Sequence, residues 1–461
     1  MADLEDLLKQ ATAAAQSPAR PEPTGGEYAI AVAVADELRG RLRYAEHTRS
    51  WMMYSNGIWQ PVSVNQAAEL VVVAAEEHYL REIAATTDKS EKQRLTKLLE
   101  ASYRARTITG VLFFLAGQPG IATGADEWDR NGMLLPVANG VVDLADGSLK
   151  PHDPDYLFTK QAGITYDPQA SAPRWVQFLD EVFSGDQDLI AFIQRAVGYS
   201  LTALTREQCF FFLHGTGRNG KSRFIETVLS LLGGFGKYTA FSTFTRERGK
   251  NGHEDDLMNL EGARLVASSE SKTIGKLAED VLKTLAGEDP ITGSRKHEKT
   301  RTYRPQFKIW LAANNRPKVD DVTDGFWRKV ILIPFEAKFE GAAEDKRLGE
   351  KLRSELPGIL AWAVKGCLAY QREGLNPPQR CIDAAAAWRT DNDPLADFLV
   401  TCKVGAGLEV KASALYQEYM QFCATSGMKP ISLTAFSPLI EAHGFKREVR
   451  RNGKFFVGIG L

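Results

Sequence analysis

Gly215-Thr216-Gly217-Arg218-Asn219-Gly220-Lys221-Ser222 spells a complete G-x-x-x-x-G-K-[ST] motif. The apolar run Cys209–Leu213 precedes it, and a helical pattern from Phe224 to Leu232 follows. That strand–loop–helix setting is what gives the motif a mechanism. Glycines let successive backbone N–H groups turn toward phosphate oxygens. The helix that follows aims its positive N-terminal end at the same anion. Lys221 is placed to reach the β- and γ-phosphates, and the Ser222 hydroxyl is a ligand for Mg²⁺. Residues 215–222 are therefore expected to bind a nucleoside triphosphate, the competing reading being a glycine-rich turn before a helix.

Later segments add chemistry. Gly262-Ala-Arg264-Leu-Val-Ala-Ser-Ser-Glu270 reads as a second strand ending in a carboxylate. Hydrolysis needs a base or water-orienting group opposite the terminal phosphate, and help in holding the metal. Ligands of open α/β sheets sit at strand C-termini, so Glu270 is a candidate for both tasks, sharing Mg²⁺ with Ser222. Lys308–Ala313 ends in Asn314-Asn315, amides able to polarise an attacking water or sense the phosphate. A turn before Pro317 is the plainer alternative. Gly325-Phe-Trp-Arg328-Lys329 opens a fourth run, Val330–Pro334. An arginine there can be donated to a neighbouring subunit's nucleotide, or can serve an interface salt bridge. Ile291–Pro305 alternates like a hairpin and is the most basic stretch of the chain, with Arg295, Lys296, His297, Lys299 and Arg301. It suits a phosphodiester backbone, the alternative being a solvated edge hairpin.

These residues need a scaffold. Between about 207 and 339 the chain holds four short, nearly continuous apolar runs separated by helical stretches. That pattern indicates a parallel sheet covered on both faces. The 461 residues suffice for two to four domains. The expected divisions are a flexible tail at 1–26, an α+β region at 27–203, the sheet domain at 204–372, a linker with a short helix at 373–394, and a small domain at 395–461. Within the α+β region, Asn56-Gly57 signals a hairpin, and a strand-rich stretch farther on has turns at Asn139-Gly140 and Asp146-Gly147. Helical patterns fall near Gln66–Ala85, Lys89–Leu115, Arg174–Phe183 and Leu189–Leu201. The last domain reads as helices followed by a hairpin turning at Asn452-Gly453, which suggests a winged helix. Its cations Lys446, Arg447, Arg450, Arg451 and Lys454 suit DNA or a protein partner, although Pro438 interrupts the helix before them.

Composition narrows the setting. A net charge of −1 means that any nucleic-acid surface is local. The five cysteines are scattered without a C-x-x-C pair, which argues against zinc ribbons and disulfides and fits a reducing cytoplasm. No signal peptide and no apolar run long enough to span a bilayer is seen, so no membrane partner is expected.

In order, the segments are Gly215–Ser222, Leu-Glu-Gly-Ala-Arg264-Leu-Val-Ala-Ser-Ser-Glu270, Leu-Ala-Gly287-Glu-Asp289-Pro-Ile-Thr, Pro305-Gln-Phe-Lys-Ile-Trp-Leu-Ala-Ala-Asn314, and Phe326-Trp327-Arg328-Lys329-Val-Ile-Leu-Ile-Pro-Phe335. Together they resemble the helicase portion of phage and plasmid primase-helicases, in helicase superfamily 3, which are AAA+ ATPases. The resemblance runs from about residue 135 to 461, taking in Asn139-Gly-Val-Val-Asp-Leu upstream and Leu415-Tyr416…Tyr419 in the end domain. It implies an α/β AAA+ core with an α+β region before it and a winged helix after it. It implies Lys221 and Ser222 on phosphate and Mg²⁺, Glu270 as the acidic residue, Asn314 as polar sensor with Asn315 second, and Arg328 as the finger. Lys283 is a further residue facing a neighbour's nucleotide. Lys296-His297 falls where related viral replication helicases carry a Lys-His on a DNA-gripping hairpin. The implied activity is an ATP- and Mg²⁺-dependent, ring-forming DNA helicase, hexameric and moving 3′→5′ on single-stranded or forked DNA in a host bacterial cytoplasm, working with a separate primase or initiator.

Two departures stand out. Only about 130 residues precede the matching region, and His152-Asp153-Pro154-Asp155 is a paired-carboxylate metal motif only superficially, so no primase activity is expected. The acidic motif reads Ser269-Glu270 rather than Asp-Glu, which leaves Mg²⁺ mainly to Ser222 and water. The rival readings are an AAA+ initiator that melts or binds an origin, a translocation or packaging motor that does not unwind, and a small-molecule kinase.

Overall fold

Local signals set the first elements. The computed structural model describes residues 26–246, 253–270, 275–294, 300–321, 323–340 and 345–461. The chain divides into two compact units, Met1–Arg130 with His152–Lys160, and Asn131–Pro151 with Gln161–Leu461.

In the first unit α1 (Gly26–Leu38) leads into β1 (Leu42–Ala45), β2 (Ser50–Ser55) and β3 (Ile58–Val62). Asn56 and Gly57 both take positive φ, 51° and 82°, so the hairpin turns where the sequence predicts it. A Ser63–Gln66 capping box starts α2 (Val64–Ala85), and Asp88 caps α3 (Lys89–Ser102). The single helix expected over 89–115 is two, because Arg104 is extended (φ −91°, ψ 124°) before α4 (Ala105–Leu115). With β4 (Ala122–Thr123) the sheet order is β3-β2-β1-β4. Ile30, Val34, Val71, Ala74 and Leu112 form the core beneath it.

The second unit begins with the antiparallel strands β5 (Leu134–Val137), β6 (Gly140–Asp143) and β7 (Leu149–Lys150), then α5 (Pro173–Phe183) and α6 (Gln187–Leu201). Next come β8 (Phe210–His214), α7 (Lys221–Leu232), β9 (Gly236–Tyr238), α8 (His253–Met258), β10 (Leu265–Ser269) and α9 (Glu279–Ala286). The hairpin β11 (Ile291–Gly293) and β12 (Arg301–Tyr303) precedes β13 (Lys308–Ala313), α10 (Asp324–Trp327) and β14 (Val330–Pro334). The five-stranded sheet runs β14-β8-β13-β10-β9, every pairing parallel. Phe211 and Trp310 face Trp175 and Phe192, while Phe210, Phe212 and Ile309 face Leu282 and Trp388. Burial on both faces is why these strands are apolar throughout.

Three expectations change. The 27–203 region is not one compact unit, because α5 and α6 bury Trp175, Phe178 and Phe192 against the sheet. After α11 (Leu348–Ser354) and α12 (Leu356–Glu373), the expected linker holds a helix of 13 residues, α13 (Gln379–Asp391), packed on the core. Its Trp388 ring lies 4.6 Å from Phe212 and 5.4 Å from Trp327. The end domain contains α14 (Ala396–Thr401), α15 (Ala412–Thr425), α16 (Leu433–Ala442) and the hairpin β16 (Lys446–Arg450) with β17 (Gly453–Gly460). It also contains β15 (Lys403–Lys411), unforeseen, which pairs antiparallel with β17. No helix among the described residues is long and apolar enough to cross a membrane. The five cysteines are free.

Two buried cations fasten α6 to the sheet. Arg264, just before β10, donates to the Leu201 and Leu134 carbonyls at 2.8 Å each. Lys308 donates to the carbonyls of Thr202 and of Leu204, the latter at 3.2 Å. Complete burial holds the Lys308 ammonium well below the ordinary lysine range. Cations at a helix C-terminus meet carbonyls left without intrahelical partners. Arg264→Ala strands two buried acceptors, each worth about 1–3 kcal/mol. The expected result is a loss of about 3 kcal/mol in the urea unfolding of this unit. An unchanged midpoint would remove Arg264 from the list of fasteners.

Candidate functional site

The register of the sheet builds the site. His214 at the end of β8 pairs with Ala313 at the end of β13, so the loop after one strand lies beside Asn314 after the other. Gly215 needs its lack of a side chain, because a Cβ there would lie 2.0 Å from the Phe335 carbonyl oxygen. Gly220, which precedes α7, takes a φ of +87°. Asn219 is buried and donates to that same Phe335 carbonyl at 3.0 Å, tying the loop to the chain leaving β14.

Lys221 is buried at the centre. Its Nζ donates to the Gly215 carbonyl at 2.6 Å, to Asn219 Oδ1 at 3.0 Å and to Asn314 Oδ1 at 3.1 Å. Burial pulls its ammonium down to about 8, against a smaller opposing pull from Glu270. Glu270 follows β10 directly, and its Oε2 accepts the Asn314 backbone N–H at 3.3 Å. A cavity of about 310 Å³ is lined by Gly217 to Arg223 together with Ser269, Glu270 and Asn314. Gly215 and Thr216 line a second cavity beside it. Ser222 and Glu270 present hard oxygens to the first cavity, a donor set suited to Mg²⁺.

Of the remaining residues, Arg218 lines the rim of that cavity and the other described ones lie outside it. Asn315 is exposed and is not among the residues lining that cavity. Arg218 is exposed, with φ 51°, and stands 3.9 Å from Glu340. Arg328 precedes β14, whose first residue pairs with Phe210, so it lies at the opposite end of the sheet from the loop. The separation is on the order of 15 Å along the strands. Arg328 is exposed and makes no ion pair among the described residues. Lys283 lies on α9 and pairs with Asp321. Arg328 and, more weakly, Lys283 help burial to depress the Lys329 ammonium, so these cations share one end of the sheet. Arg295, Lys296, His297 and Lys299 lie outside the described residues. Arg301 pairs across the hairpin with Gly293, at the end of the described ladder away from Ile291 and Tyr303, and stands 3.3 Å from Glu261. In the end domain Arg447 pairs with Glu441 at 3.0 Å, Arg450 with Glu409 at 2.9 Å and Lys446 with Glu448 at 4.0 Å, while Arg451 and Lys454 are exposed. The anchoring role of Asn219 had no sequence signal, since it occupies a variable position of the motif.

Comparison with known proteins bears on this geometry. Residues 31–184 match a family described as "D5 N terminal like", and residues 390–455 match "Poxvirus D5 protein-like". Residues 213–329, which hold the loop, Glu270 and Asn314, match a family of unknown function (DUF5906). The first and last of these matches are to families described by their likeness to D5, and each covers about a third of the chain or less. The chain is 26% identical over 292 residues to a protein of Acanthamoeba polyphaga mimivirus named "Putative helicase L207/L206", covering 59% of this chain and 30% of that one. Proteins with the corresponding name from Frog virus 3 (022R) and Invertebrate iridescent virus 3 (121R) are 22% and 27% identical, covering 50% and 47% of this chain. The chain spans 26% and 24% of their lengths, so it corresponds to less than a third of each curated relative. Among solved structures, two of the NrS-1 C-terminal region match with TM-scores of 0.50 and 0.51 at 9% and 10% identity, covering 95% and 94% of this chain and 100% and 99% of theirs. At that identity the likeness is one of fold.

The Lys221 ammonium gives the site a pH signature. A triphosphate beside Lys221 keeps it charged, whereas the ligand-free lysine titrates near 8. Binding therefore takes up a proton above that pH and weakens as pH rises. ATP affinity should fall about tenfold between about pH 7 and about pH 9 by calorimetry, and the slope should vanish in Lys221→Met. A slope retained in Lys221→Met would assign the titration to another group.

Proposed function

We propose that this chain is an ATP-hydrolysing DNA helicase that works as a ring of identical subunits, six in the reading drawn from the resemblance. The observation that carries it is the division of the site. Lys221, Glu270 and Asn314 converge at one end of the parallel sheet, while Arg328 stands exposed at the other. One copy supplies a phosphate cradle, and the next supplies the cation that the departing phosphate requires.

In this reading Lys221 leaves Gly215 and Asn219 to hold the β- and γ-phosphates. Ser222 and Glu270 would hold Mg²⁺, which when bound supplies Lewis-acid neutralisation of the phosphate charge. Glu270 also orients the attacking water and accepts its proton. The Asn314 amide bridges Lys221 and the terminal phosphate, so it registers hydrolysis. Arg328 and Lys283 act on the neighbour's nucleotide. The β11–β12 hairpin carries Lys296-His297 to one DNA strand and grips its phosphates without reading bases. Travel is 3′→5′ on single-stranded DNA, and the end domain serves as a winged helix. A separate primase or initiator supplies primers or loading.

Displacement of one strand from a forked duplex by the full chain with ATP and Mg²⁺ tests the reading. Duplex binding without displacement would favour the initiator or packaging-motor reading, and DNA-independent phosphorylation of a metabolite the kinase reading. Lys221→Ala and Arg328→Ala should each lower ATP turnover at least about a hundredfold. An equimolar mixture should regain measurable turnover, because some junctions then pair an intact loop with an intact arginine. A mixture as inactive as its parts would refute the shared site. Lys296→Ala should keep basal turnover and lose stimulation by DNA.

A further inference from the structure

Beside the phosphate loop, on the Gly215–Thr216 side, lies a cavity of about 650 Å³. Two guanidiniums line it, those of Arg316 and Arg380. They differ in how fully they are engaged. Arg380 is held by two carboxylates, Asp186 at 2.9 Å and Glu336. Arg316 has one, Asp391 on α13, at 2.7 Å through Nη1. Its Nε is buried and has no partner among the described residues. Arg316 thus keeps unspent donors next to the loop.

The backbone around Arg316 is fixed. It stands two residues beyond Asn314, which already touches Lys221. The Pro317 carbonyl accepts the Trp388 indole N–H at 3.1 Å, and the Val319 N–H donates to Asn392 Oδ1 at 2.9 Å. With the loop pinned on both sides, the side chain is the part free to change partner. The Arg316 charge is also felt inside the cavity. With burial as the larger cause, it helps push the His214 imidazole below its ordinary value, so His214 stays neutral near pH 7. A terminal phosphate arriving at Thr216 meets a neutral imidazole and an underused guanidinium, with the carboxylates Glu336 and Asp383 already engaged by Arg380 and Gln379.

We propose that Arg316 is the subunit's own arginine for the terminal phosphate of the bound nucleoside triphosphate, held in reserve by Asp391 until that phosphate arrives. This rests on the reading that the Gly215–Ser222 loop binds ATP. The exchange is an ion-pair switch, with no bond made or broken. The guanidinium leaves a single carboxylate for a more highly charged phosphate that offers bidentate geometry. The switch also frees the end of α13. That end leads through Asp393, paired with His443 at 2.8 Å, into the end domain, so the end domain registers the terminal phosphate.

The test compares a non-hydrolysable ATP analogue with ADP by calorimetry on the full chain. Arg316→Ala should weaken the analogue about tenfold and leave ADP within about twofold. Asp391→Asn should do the opposite, tightening the analogue severalfold with ADP unchanged, because it releases Arg316 from its competitor. Opposite signs at the two ends of one ion pair are not produced by a merely structural pair, and the gain in Asp391→Asn requires a folded protein. Equal shifts for analogue and ADP, or losses in both variants, would overturn the proposal. Lys221→Ala separates the two layers. If it binds nucleotide normally, the nucleotide-site reading fails; if it loses binding while the Arg316 and Asp391 variants keep the analogue-to-ADP ratio, only the Arg316 proposal fails.

Discussion

The Lys221 ammonium is the constraint on which this site depends. A charge buried at the end of a sheet must be met by oxygen, and three oxygens meet it: a loop carbonyl and two side-chain amides. These are dipoles, not charges. Glu270 contributes an opposing charge from a distance, yet burial still dominates and draws the ammonium down to about 8. The ligand-free loop is thus one anion short. The polypeptide is arranged to keep it so: Asn219 spends an amide N–H on the Phe335 carbonyl, and Glu270 spends one oxygen on the Asn314 backbone.

The two ends of the sheet treat cations differently, and the difference locates the chemistry. At the N-terminal ends of the strands, Arg264 and Lys308 are buried against carbonyls of the helix and loop behind them, and Lys329 is buried beside the Gln208 carbonyl at 3.5 Å. These groups are satisfied within the subunit and act as fasteners. Arg328, next to Lys329, is the exception, being exposed and without an ion pair among the described residues. Its charge repels that of Lys329 and helps burial to depress the Lys329 ammonium. In the proposed ring, a neighbouring subunit's phosphate would answer that repulsion.

The site was more legible in sequence than its supports. The loop is spelled out because glycine, lysine and serine each have a fixed task at fixed spacing, and the four long strands are apolar because both faces are covered. Glu270 and Asn314 could be placed because strand ends are where a parallel sheet binds ligands. The strand β9, Gly-Lys-Tyr, has no apolar run and was missed, since its place at the sheet edge comes from pairing with Leu265–Ala267 rather than from its own residues. The packing of α13 was equally hidden. Pro377-Pro378 and a run of alanines read as a linker, and two buried residues, Cys381 and Trp388, turn that segment into part of the core. Arg316 looked like an ordinary loop cation until the fold set its partner 75 residues away on α13.

The feet of the β11–β12 hairpin constrain how any ring could work. Ile291 and Tyr303 pair across the hairpin and are both buried in the core that holds Ile309, Leu311 and Phe326. The Tyr303 hydroxyl donates to the Leu257 carbonyl at 2.6 Å, and Thr292 meets Thr302 at 2.8 Å. Feet embedded this way cannot hinge on their own, because close-packed interiors shift as blocks rather than bending residue by residue. In the proposed ring, movement of the hairpins along DNA therefore comes from rotation of whole sheet domains. Such rotation is what opening and closing of a shared site produces, since Lys221 and Arg328 lie at opposite ends of one rigid sheet. A phosphate that draws a neighbour's Arg328 toward Lys221 turns that neighbour's sheet, and its hairpin turns with it.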